Sequence, residues 1–254
     1  MNDWSAVITA GGYAEGELRK TVQTDHKSLA NLKGRTLLQR AVEAVRDAGI
    51  ERIAVCGDEP IQIAARSFCA HVTIADRGNS PVESASNGIA ALKESRRILF
   101  LPADTPFIAG SQIAEFISQL ETIPEDFLAI GVCDKQSVMR ALSGAKYRYV
   151  RLREGSFATS SLQAGTASAV QKALDVLISI SRNRKSQFAV LRQVGIGTLL
   201  KFAMRRLSLH DIERIGSMMF GSKSVLVQGV HPYTTFDIDD ENDWKYAQSF
   251  RPMD

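Results

Sequence analysis

Two segments of this sequence carry residue types that bind phosphate. An apolar run near the N-terminus ends in Ala10, Gly11 and Gly12. Glycines have no Cβ, so their backbone N–H groups can approach a phosphate closely. Lys27 follows, and its compact positive charge could reach phosphates held by this loop. The alternatives are a simple tight turn for the glycine pair and an ordinary solvated lysine.

Three aspartates could bind a metal ion. Asp104 follows a strongly apolar run and is framed by Pro102 and Pro106. A carboxylate fixed at the carboxyl end of a strand suits Mg²⁺, a hard ion that prefers oxygen ligands. Asp237 and Asp239 alternate near the end of the last predicted strand, so they would share a face and either could complete the site. The alternatives are a turn or helix cap for Asp104, and a charged helix N-terminus for Asp239.

Several other phosphate and catalytic motifs do not fit the sequence. Gly11 and Gly16 have the P-loop spacing, but Glu17 and Leu18 stand where lysine and serine or threonine are required. The turn contains no Gly-x-Gly-x-x-Gly, which excludes the dinucleotide fingerprint. The four histidines lack metal-ligand spacing, and no Gly-x-Ser-x-Gly marks a nucleophile, which argues against zinc chemistry and covalent hydrolysis. Asp58 also follows a strand, and we assign it to capping the next helix.

The elements that would position these residues alternate between strands and helices. We predict strands at 5–9, 52–56, 97–101 and 127–132, and helices at 36–48, at 83–94 and from about 111. Such alternation is typical of an α/β protein with a mostly parallel, mixed sheet between two layers of helices, a Rossmann-like three-layer sandwich. Ligands bind at the carboxyl ends of the strands in such sheets.

This pattern breaks after residue 151. Two long helices are predicted at 169–180 and 188–207, and a third begins after an N-cap at Ser208 and ends near Gly221. We interpret 168–221 as a helical insertion in a single domain of residues 1–254. Strands at 224–230 and 234–238 and a helix at 240–250 return the chain to the sheet.

Composition narrows the function further. The chain has 254 residues, of which 44% are hydrophobic, and a formal charge of +3. This charge is too small to indicate a nucleic-acid surface. The N-terminus lacks the features of a signal peptide and no apolar run is long enough to span a membrane. Three scattered cysteines fit reduced thiols, so we expect a cytoplasmic protein.

In combination, four motifs resemble the MobA-like nucleotidyltransferases, which have the molybdenum-cofactor guanylyltransferase-like fold. These motifs are Ala10-Gly11-Gly12, the segment from Lys27-Ser28-Leu29 to Gly34-Arg35-Thr36-Leu37-Leu38, Ala103-Asp104-Thr105-Pro106, and Phe236-Asp237-Ile238-Asp239. They occur in the family's order over residues 5–135 and 224–249. The resemblance implies Mg²⁺-dependent transfer of a nucleoside monophosphate from a nucleoside triphosphate to a phosphorylated small-molecule acceptor, with release of pyrophosphate.

The resemblance also implies roles for individual residues. The nucleotide would contact the loop of Ala10, Gly11 and Gly12, with Lys27 on its phosphates. Asp104 would bind Mg²⁺, joined by Asp239 or Asp237, so that Lys27 and Asp104 are the catalytic residues. Ser84, in the loop 78–84, is the residue we expect at the base. A homodimer is compatible with this class of enzyme.

The sequence departs from the family pattern in two places. Relatives continue the glycine loop as Gly-x-Gly-x-Arg, whereas this loop is longer and more acidic, and Arg19 is a candidate substitute. The helical insertion stands where relatives build the acceptor site, and its basic residues could meet an acceptor phosphate or form a solvated turn: Lys172, Arg182, Arg184 and Lys185. These departures keep a second hypothesis open, a non-catalytic nucleotide-binding protein with the same fold. A sugar transferase using a nucleotide-sugar donor is a third.

Overall fold

A mostly parallel sheet of eight strands forms the centre of the protein. The computed structural model describes residues 3–92, 95–182 and 206–251. The strands are β1 (Trp4–Thr9), β2 (Asn31–Leu32), β3 (Arg35–Thr36), β4 (Arg52–Gly57), β5 (Thr73–Asp76), β6 (Arg97–Pro102), β7 (Phe127–Asp134), β8 (Val150–Leu152), β9 (Gly155–Thr166) and β10 (Lys223–Gln228). The large sheet has the order β10-β7-β9-β6-β1-β4-β5, with β8 paired to β9, while β2 and β3 form a separate hairpin.

Strand β1 lies in the middle of the parallel region. It pairs with β4 on one side and β6 on the other, so that Thr9 stands opposite both Cys56 and Pro102. Its side chains alternate between the two faces: Ala6 and Ile8 belong to one hydrophobic cluster and Val7 to the other. Because three parallel strands end level, the loops that follow them emerge side by side.

Helices cover both faces of this sheet and confirm the predicted three-layer α/β architecture. They are α1 (Gly16–Val22), α2 (Leu37–Asp47), α3 (Glu59–Phe68), α4 (Pro81–Ala91), α5 (Gly110–Ser118), α6 (Lys135–Ala141), α7 (Ala167–Arg182), α8 (Leu209–Phe220) and α9 (Glu241–Ser249). Helices α2 and α5 pack together with the cluster that contains Ile8, and α4 packs on the face that contains Val7. None of the helices in the described ranges is long and apolar enough to cross a membrane.

The predicted insertion is described at its two ends. Helices α7 and α8 contact one another, and α7 also packs against α4 and the sheet. Ser208 caps α8 as predicted, accepting a hydrogen bond from the Asp211 backbone N–H at 3.0 Å, and Gly221 ends the helix with a φ of 65°. The predicted helix at 188–207, except its last two residues, and both Arg184 and Lys185 lie outside the described residues. The insertion therefore supplies part of one helical layer.

Strand β9 corrects the expectation that the sheet pattern breaks at residue 151. It runs antiparallel between β6 and β7. Its buried positions do alternate, but they are filled by Ala158, Ser160, Leu162 and Ala164. Such small and partly polar side chains give a weak hydrophobic periodicity, so the strand was not recognised. Strand β7 pairs with β9 along most of its length, while β6 and β8 pair with its two ends on the other side.

The predicted strand at 234–238 is also wrong. Residues Pro232–Thr235 form a 3₁₀ turn, in which the Thr234 and Thr235 hydroxyls donate to the carbonyls of His231 and Pro232 at 2.8 and 2.7 Å. These local hydrogen bonds compete with a sheet ladder. The chain then continues in an extended form that belongs to no strand.

Gly88 of α4 sets how closely this helix approaches the sheet. A Cβ at this position would lie 2.5 Å from Cγ1 of Val7 and 2.6 Å from Sγ of Cys56. We expect Gly88→Ala to lower the free energy of unfolding by about 1–3 kcal/mol, because overpacking outweighs the better helix propensity of alanine. Urea unfolding followed by circular dichroism measures this change. Ser86→Ala, on the same helix, is the control, and a Gly88→Ala variant as stable as the wild type would contradict this packing.

Candidate active site

The loop Ala10-Gly11-Gly12 and the turn at Asp104 lie next to each other beyond the sheet. The backbone N–H of Ala10 donates to Cys56 O at 2.9 Å, and that of Ala103 donates to Thr9 O at 2.9 Å. These hydrogen bonds extend the ladders of β1 one residue beyond the strands. The glycine pair and Asp104 therefore leave the sheet from a common edge, as the parallel arrangement predicts.

Lys27 reaches this edge because the chain folds back after Gly12. The Lys27 N–H donates to Gly12 O at 3.0 Å, and the buried Ser28 hydroxyl donates to Ala10 O at 2.9 Å. A Cβ on Gly12 would lie 3.3 Å from Cε of Lys27. The lysine side chain therefore runs directly along the glycine loop, where the sequence predicted it.

The Lys27 ammonium group binds two carboxylates and a carbonyl. Its Nζ lies 2.9 Å from Asp104 Oδ2, 3.4 Å from Asp239 Oδ1 and 2.7 Å from the carbonyl oxygen of Ile238. The side chain is only 13% exposed. Burial lowers the pKa of Lys27, but the charges and hydrogen bonds of Asp104 and Asp239 outweigh it and raise that pKa overall. The lysine is consequently a protonated, fixed cation at neutral pH.

The C-terminal acidic segment is anchored by its apolar residues. Phe236 and Ile238 are buried, while the alternate residues Asp237 and Asp239 are exposed. The backbone N–H of Ile238 donates to Asp104 O at 3.0 Å. The two aspartates thus alternate as predicted, although the segment is not a strand.

Asp240, rather than Asp239, caps the final helix. Its carboxylate accepts hydrogen bonds from the backbone N–H groups of Asn242 and Asp243 at 2.7 and 3.1 Å. The Asp239 carboxylate is 75% exposed and contacts Lys27. The alternative role of helix N-terminus therefore belongs to Asp240, and Asp239 remains available to a ligand.

The carboxylates repel one another across the site. The pKa of Asp237 is raised to about 6, first because the surrounding protein limits its hydration, then because of the negative charges of Asp239 and Asp104. The positive charge of Lys27 lowers the pKa of Asp237 but does not outweigh these causes. The site therefore favours a cation near Asp237 in addition to the lysine.

The donor set fits a magnesium ion that takes most of its ligands from elsewhere. Asp104 and Asp239 present hard carboxylate oxygens on either side of Lys27. Within residues 3–92, 95–182 and 206–251, no group of three or more histidine, cysteine or acidic side chains is close enough to hold a metal. Mg²⁺ is commonly held by one or two carboxylates together with substrate phosphates and water. The residues present are compatible with that mode and not with a site built from protein alone.

A second group of side chains covers the other side of the glycine loop, and we call Tyr13, Asp58 and Arg77 the Tyr13 cluster. Tyr13 Oη donates to Asp58 Oδ2 at 2.6 Å, and Arg77 Nη1 donates to Tyr13 Oη at 3.0 Å. The hydrogen bond to Asp58 raises the pKa of Tyr13. The Arg77 guanidinium carbon lies 4.6 Å from the centre of the Tyr13 ring. Asp58 is the N-cap residue of α3, as predicted, but its side chain makes no capping hydrogen bond and binds the tyrosine hydroxyl instead.

The Tyr13 cluster could not be predicted from the sequence, because the order of the strands in the sheet was unknown. Asp58 and Arg77 follow β4 and β5, which lie consecutively beside β1. Their position at the carboxyl ends of neighbouring strands was the available signal. Without the pairing of β1 with β4, neither residue could be assigned to the glycine loop.

Other predicted residues lie away from the loop or are already engaged. Ser84 is 6% exposed, and its hydroxyl accepts from the Gly78 N–H at 3.0 Å and donates to Ser80 O at 3.1 Å. Its contact with a base stays a prediction, and in the structure it fixes the loop before α4. Arg19 is exposed on α1 and pairs with Asp25 at 2.5 Å.

Lys172, one of the basic residues considered for the acceptor, forms an ion pair. Its Nζ lies 3.7 Å from Asp126 Oδ2, just before β7 begins. Because β6 and β7 both run antiparallel to β9, the start of β7 is at the opposite edge of the sheet from Asp104. Lys172 therefore lies toward the edge of the sheet opposite to Asp104.

Comparisons with known proteins agree with this geometry. The family model described as the MobA-like NTP transferase domain matches residues 6–207. A solved structure titled a hypothetical transferase from Thermus thermophilus has a TM-score of 0.77 at 26% identity, covering 94% of this chain and 98% of its own. None of the curated proteins matches the chain.

More distant structures share the fold. A nucleotidyl transferase from Methanothermobacter thermautotrophicus has a TM-score of 0.58 at 16% identity, covering 98% of this chain and 97% of its own. A CMP:2-keto-3-deoxy-manno-octonic acid synthetase, solved in complex with CTP, has a TM-score of 0.59 at 12% identity, covering 97% of each chain.

Removing the Asp237 charge tests whether folding penalises this charge through desolvation and through the neighbouring carboxylates. A carboxyl whose pKa is raised on folding from 3.8 to about 6 binds its proton more tightly when folded. Stability is therefore lost as pH rises through this window, and the full penalty applies above it. We expect Asp237→Asn to gain stability relative to the wild type between pH 4 and pH 8, by roughly 1 kcal/mol, because the exposed surface of Asp237 reduces the effect.

Urea unfolding in EDTA at both pH values gives this difference. Asp3→Asn, at an exposed position, measures the effect of removing a surface carboxyl. A gain for Asp237→Asn that does not grow between the two pH values would contradict the raised pKa of Asp237.

Proposed function

The chain belongs to the MobA-like NTP transferase family and is a nucleotidyltransferase, and we propose that it transfers a nucleoside monophosphate from a nucleoside triphosphate to a phosphorylated small-molecule acceptor, releasing pyrophosphate. The observation that carries this proposal is the Lys27 ammonium beside the glycine pair, bound to both Asp104 and Asp239. This arrangement places a fixed cation and two carboxylates at one edge of the sheet. The CTP in the structure of the synthetase with a similar fold supports a nucleoside triphosphate as the donor.

The triphosphate would bind along Gly11 and Gly12. These glycines carry no side chain of their own, Gly12 is exposed, and Lys27 lies along the same loop. The lysine keeps its position through the Ile238 carbonyl and Asp104, at 2.7 and 2.9 Å. Its contact with the exposed Asp239 is longer and weaker, so the ammonium group can turn toward a phosphate with little loss.

Asp104 and Asp239 would hold Mg²⁺, with Asp237 adding negative charge nearby. The bound ion would neutralise phosphate charge and orient the triphosphate. The raised pKa of Asp237 supports this assignment, because crowded carboxylates favour cation binding. Lys27 supplies a second positive charge, because its ammonium group is protonated at neutral pH.

The reaction follows from this placement. An oxygen of the acceptor phosphate bonds to the α-phosphorus while the bond from that phosphorus to the α,β-bridging oxygen breaks. Pyrophosphate leaves with the bridging oxygen and its electron pair. Lys27 stabilises the charge that develops on the transferred group, so catalysis depends on positioning and electrostatics.

A phosphorylated acceptor is supported by Lys146, a basic residue near the C-terminal acidic segment. Lys146 and Arg148 are exposed and follow α6, while Tyr147 between them is half-buried. The backbone N–H of Asp243 is the main cause that lowers the pKa of Asp240, and Lys146 adds to it. Lys146 is therefore close to the acidic segment that ends in Asp240, where an anionic acceptor could approach the carboxylates.

Asp104→Asn tests the assigned centre. We expect pyrophosphate release to fall at least about 100-fold, because the amide keeps the shape of the side chain but neither anchors Lys27 by charge nor binds a cation well. The assay screens the four ribonucleoside triphosphates with Mg²⁺ against a panel of phosphorylated acceptors. Asp175→Asn, at an exposed aspartate on α7, is the matched control.

Three outcomes would contradict the proposal. Unchanged turnover of Asp104→Asn would rule out the assigned metal site. Nucleotide binding by calorimetry without turnover across the panel would favour the non-catalytic nucleotide-binding protein. Hydrolysis of a nucleotide-sugar but not of a triphosphate would favour the sugar transferase.

A further inference from the structure

Each glycine of the loop is covered by the aliphatic part of a cationic side chain. A Cβ on Gly12 would lie 3.3 Å from Cε of Lys27, and a Cβ on Gly11 would lie 2.8 Å from Cδ and 3.0 Å from Nε of Arg77. The two cations come from different parts of the fold, Lys27 from the returning loop and Arg77 from the end of β5. They therefore border the glycine pair on two sides.

Arg77 is held in this position by the rest of the Tyr13 cluster. Its Nη1 donates to Tyr13 Oη at 3.0 Å, and its guanidinium packs over the tyrosine ring. The same hydroxyl donates to Asp58 at 2.6 Å. Tyr13 thus connects the arginine to a carboxylate at the end of the neighbouring strand β4.

Arg77 forms a long ion pair with Asp58 that leaves most of its N–H donors unused. Its Nη1 lies 3.8 Å from Asp58 Oδ2, beyond hydrogen-bond distance, and its side chain is 35% exposed. The described part of the chain gives the guanidinium one hydrogen bond, to Tyr13. A guanidinium has five N–H donors, so most of them can still reach an anion.

We propose that Arg77 is a second phosphate-binding residue of the nucleotide site, facing Lys27 across Gly11 and Gly12. This inference rests on the proposed function and identifies a residue outside the glycine loop that binds the triphosphate. Tyr13 and Asp58 are positioning residues, because they act by holding the guanidinium. Arg19, the substitute suggested by sequence, instead pairs with Asp25 at 2.5 Å.

The planar fork of arginine suits this role better than a lysine. Two parallel N–H groups can bind two phosphate oxygens at once, while the opposite edge of the guanidinium keeps its hydrogen bond to Tyr13. A lysine at this position would keep the charge but lose the stacking on the ring. Arg77→Lys should therefore bind phosphate less well than the wild type, but better than a neutral residue.

Calorimetry on Arg77→Gln tests the proposal. The probes are the nucleoside triphosphate that the wild type binds best, inorganic triphosphate, and the corresponding nucleoside measured by competition. We expect Arg77→Gln to weaken binding of both triphosphates about 10- to 100-fold and to leave the nucleoside unchanged, because only phosphate contacts are lost. Arg77→Lys should recover part of this loss.

Two further variants separate phosphate binding from a structural role. Tyr13→Phe, which removes the hydrogen bond that holds the guanidinium, should give a smaller loss of triphosphate affinity. It should have no added effect in an Arg77→Gln background. Arg66→Gln, at an exposed arginine on α3, should bind like the wild type.

Failure of the inference about Arg77 can be distinguished from failure of the proposed function. If the wild type binds triphosphate and Arg77→Gln binds it equally well, the inference is overturned while the proposed function stands. An equal loss of nucleoside affinity also overturns it, since Arg77 would then act on the base or on the loop. If the wild type binds no nucleoside triphosphate, both fail.

Discussion

Lys27 connects three segments that are far apart in sequence. Its backbone binds Gly12, and its ammonium group binds Asp104 and the segment of Ile238 and Asp239. A largely buried ammonium group is costly unless it is paired and hydrogen-bonded, and here it has three oxygen partners. The same contacts keep the carboxylates apart and oriented. Removing the lysine would leave Asp104, Asp237 and Asp239 with uncompensated repulsion, so the geometry of the whole site depends on this one cation.

The sheet makes these contacts possible. Strands β1, β4 and β6 end level, and hydrogen bonds from Ala10 and Ala103 carry the ladder into the following loops. The C-terminal segment is fixed separately, by burial of Phe236 and Ile238 and by the hydrogen bond from Ile238 to Asp104 O. A parallel sheet therefore provides the edge, while buried apolar side chains bring the last acidic residues to it.

The parallel core and the meeting of Lys27, Asp104 and Asp239 at one site could be predicted from the sequence, because strong apolar runs and turn residues mark those places. The sequence was not sufficient where side-chain packing or strand pairing determines the local structure. Strand β9 has small, partly polar buried residues, and the 3₁₀ turn at Pro232–Thr235 is fixed by threonine hydroxyls. Asp58 is the N-cap of α3 as predicted, but its hydrogen bond with Tyr13, 45 residues away, could not be predicted. Such contacts depend on strand order, which local patterns do not contain.

The long loop between Gly12 and Lys27 is compatible with an intact phosphate site because its ends are joined. Tyr13 forms an antiparallel bridge with His26, and the Ala14 N–H donates to Asp25 O at 2.8 Å. The residues between the two joined ends include α1, which packs against α9. The Thr21 hydroxyl of α1 donates to Glu241 at 3.1 Å. The extra length is thus directed away from the glycine pair. The bridge also fixes the backbone at Tyr13, whose hydroxyl accepts a hydrogen bond from Arg77, so the two ends of this loop support both cations that border the glycine pair.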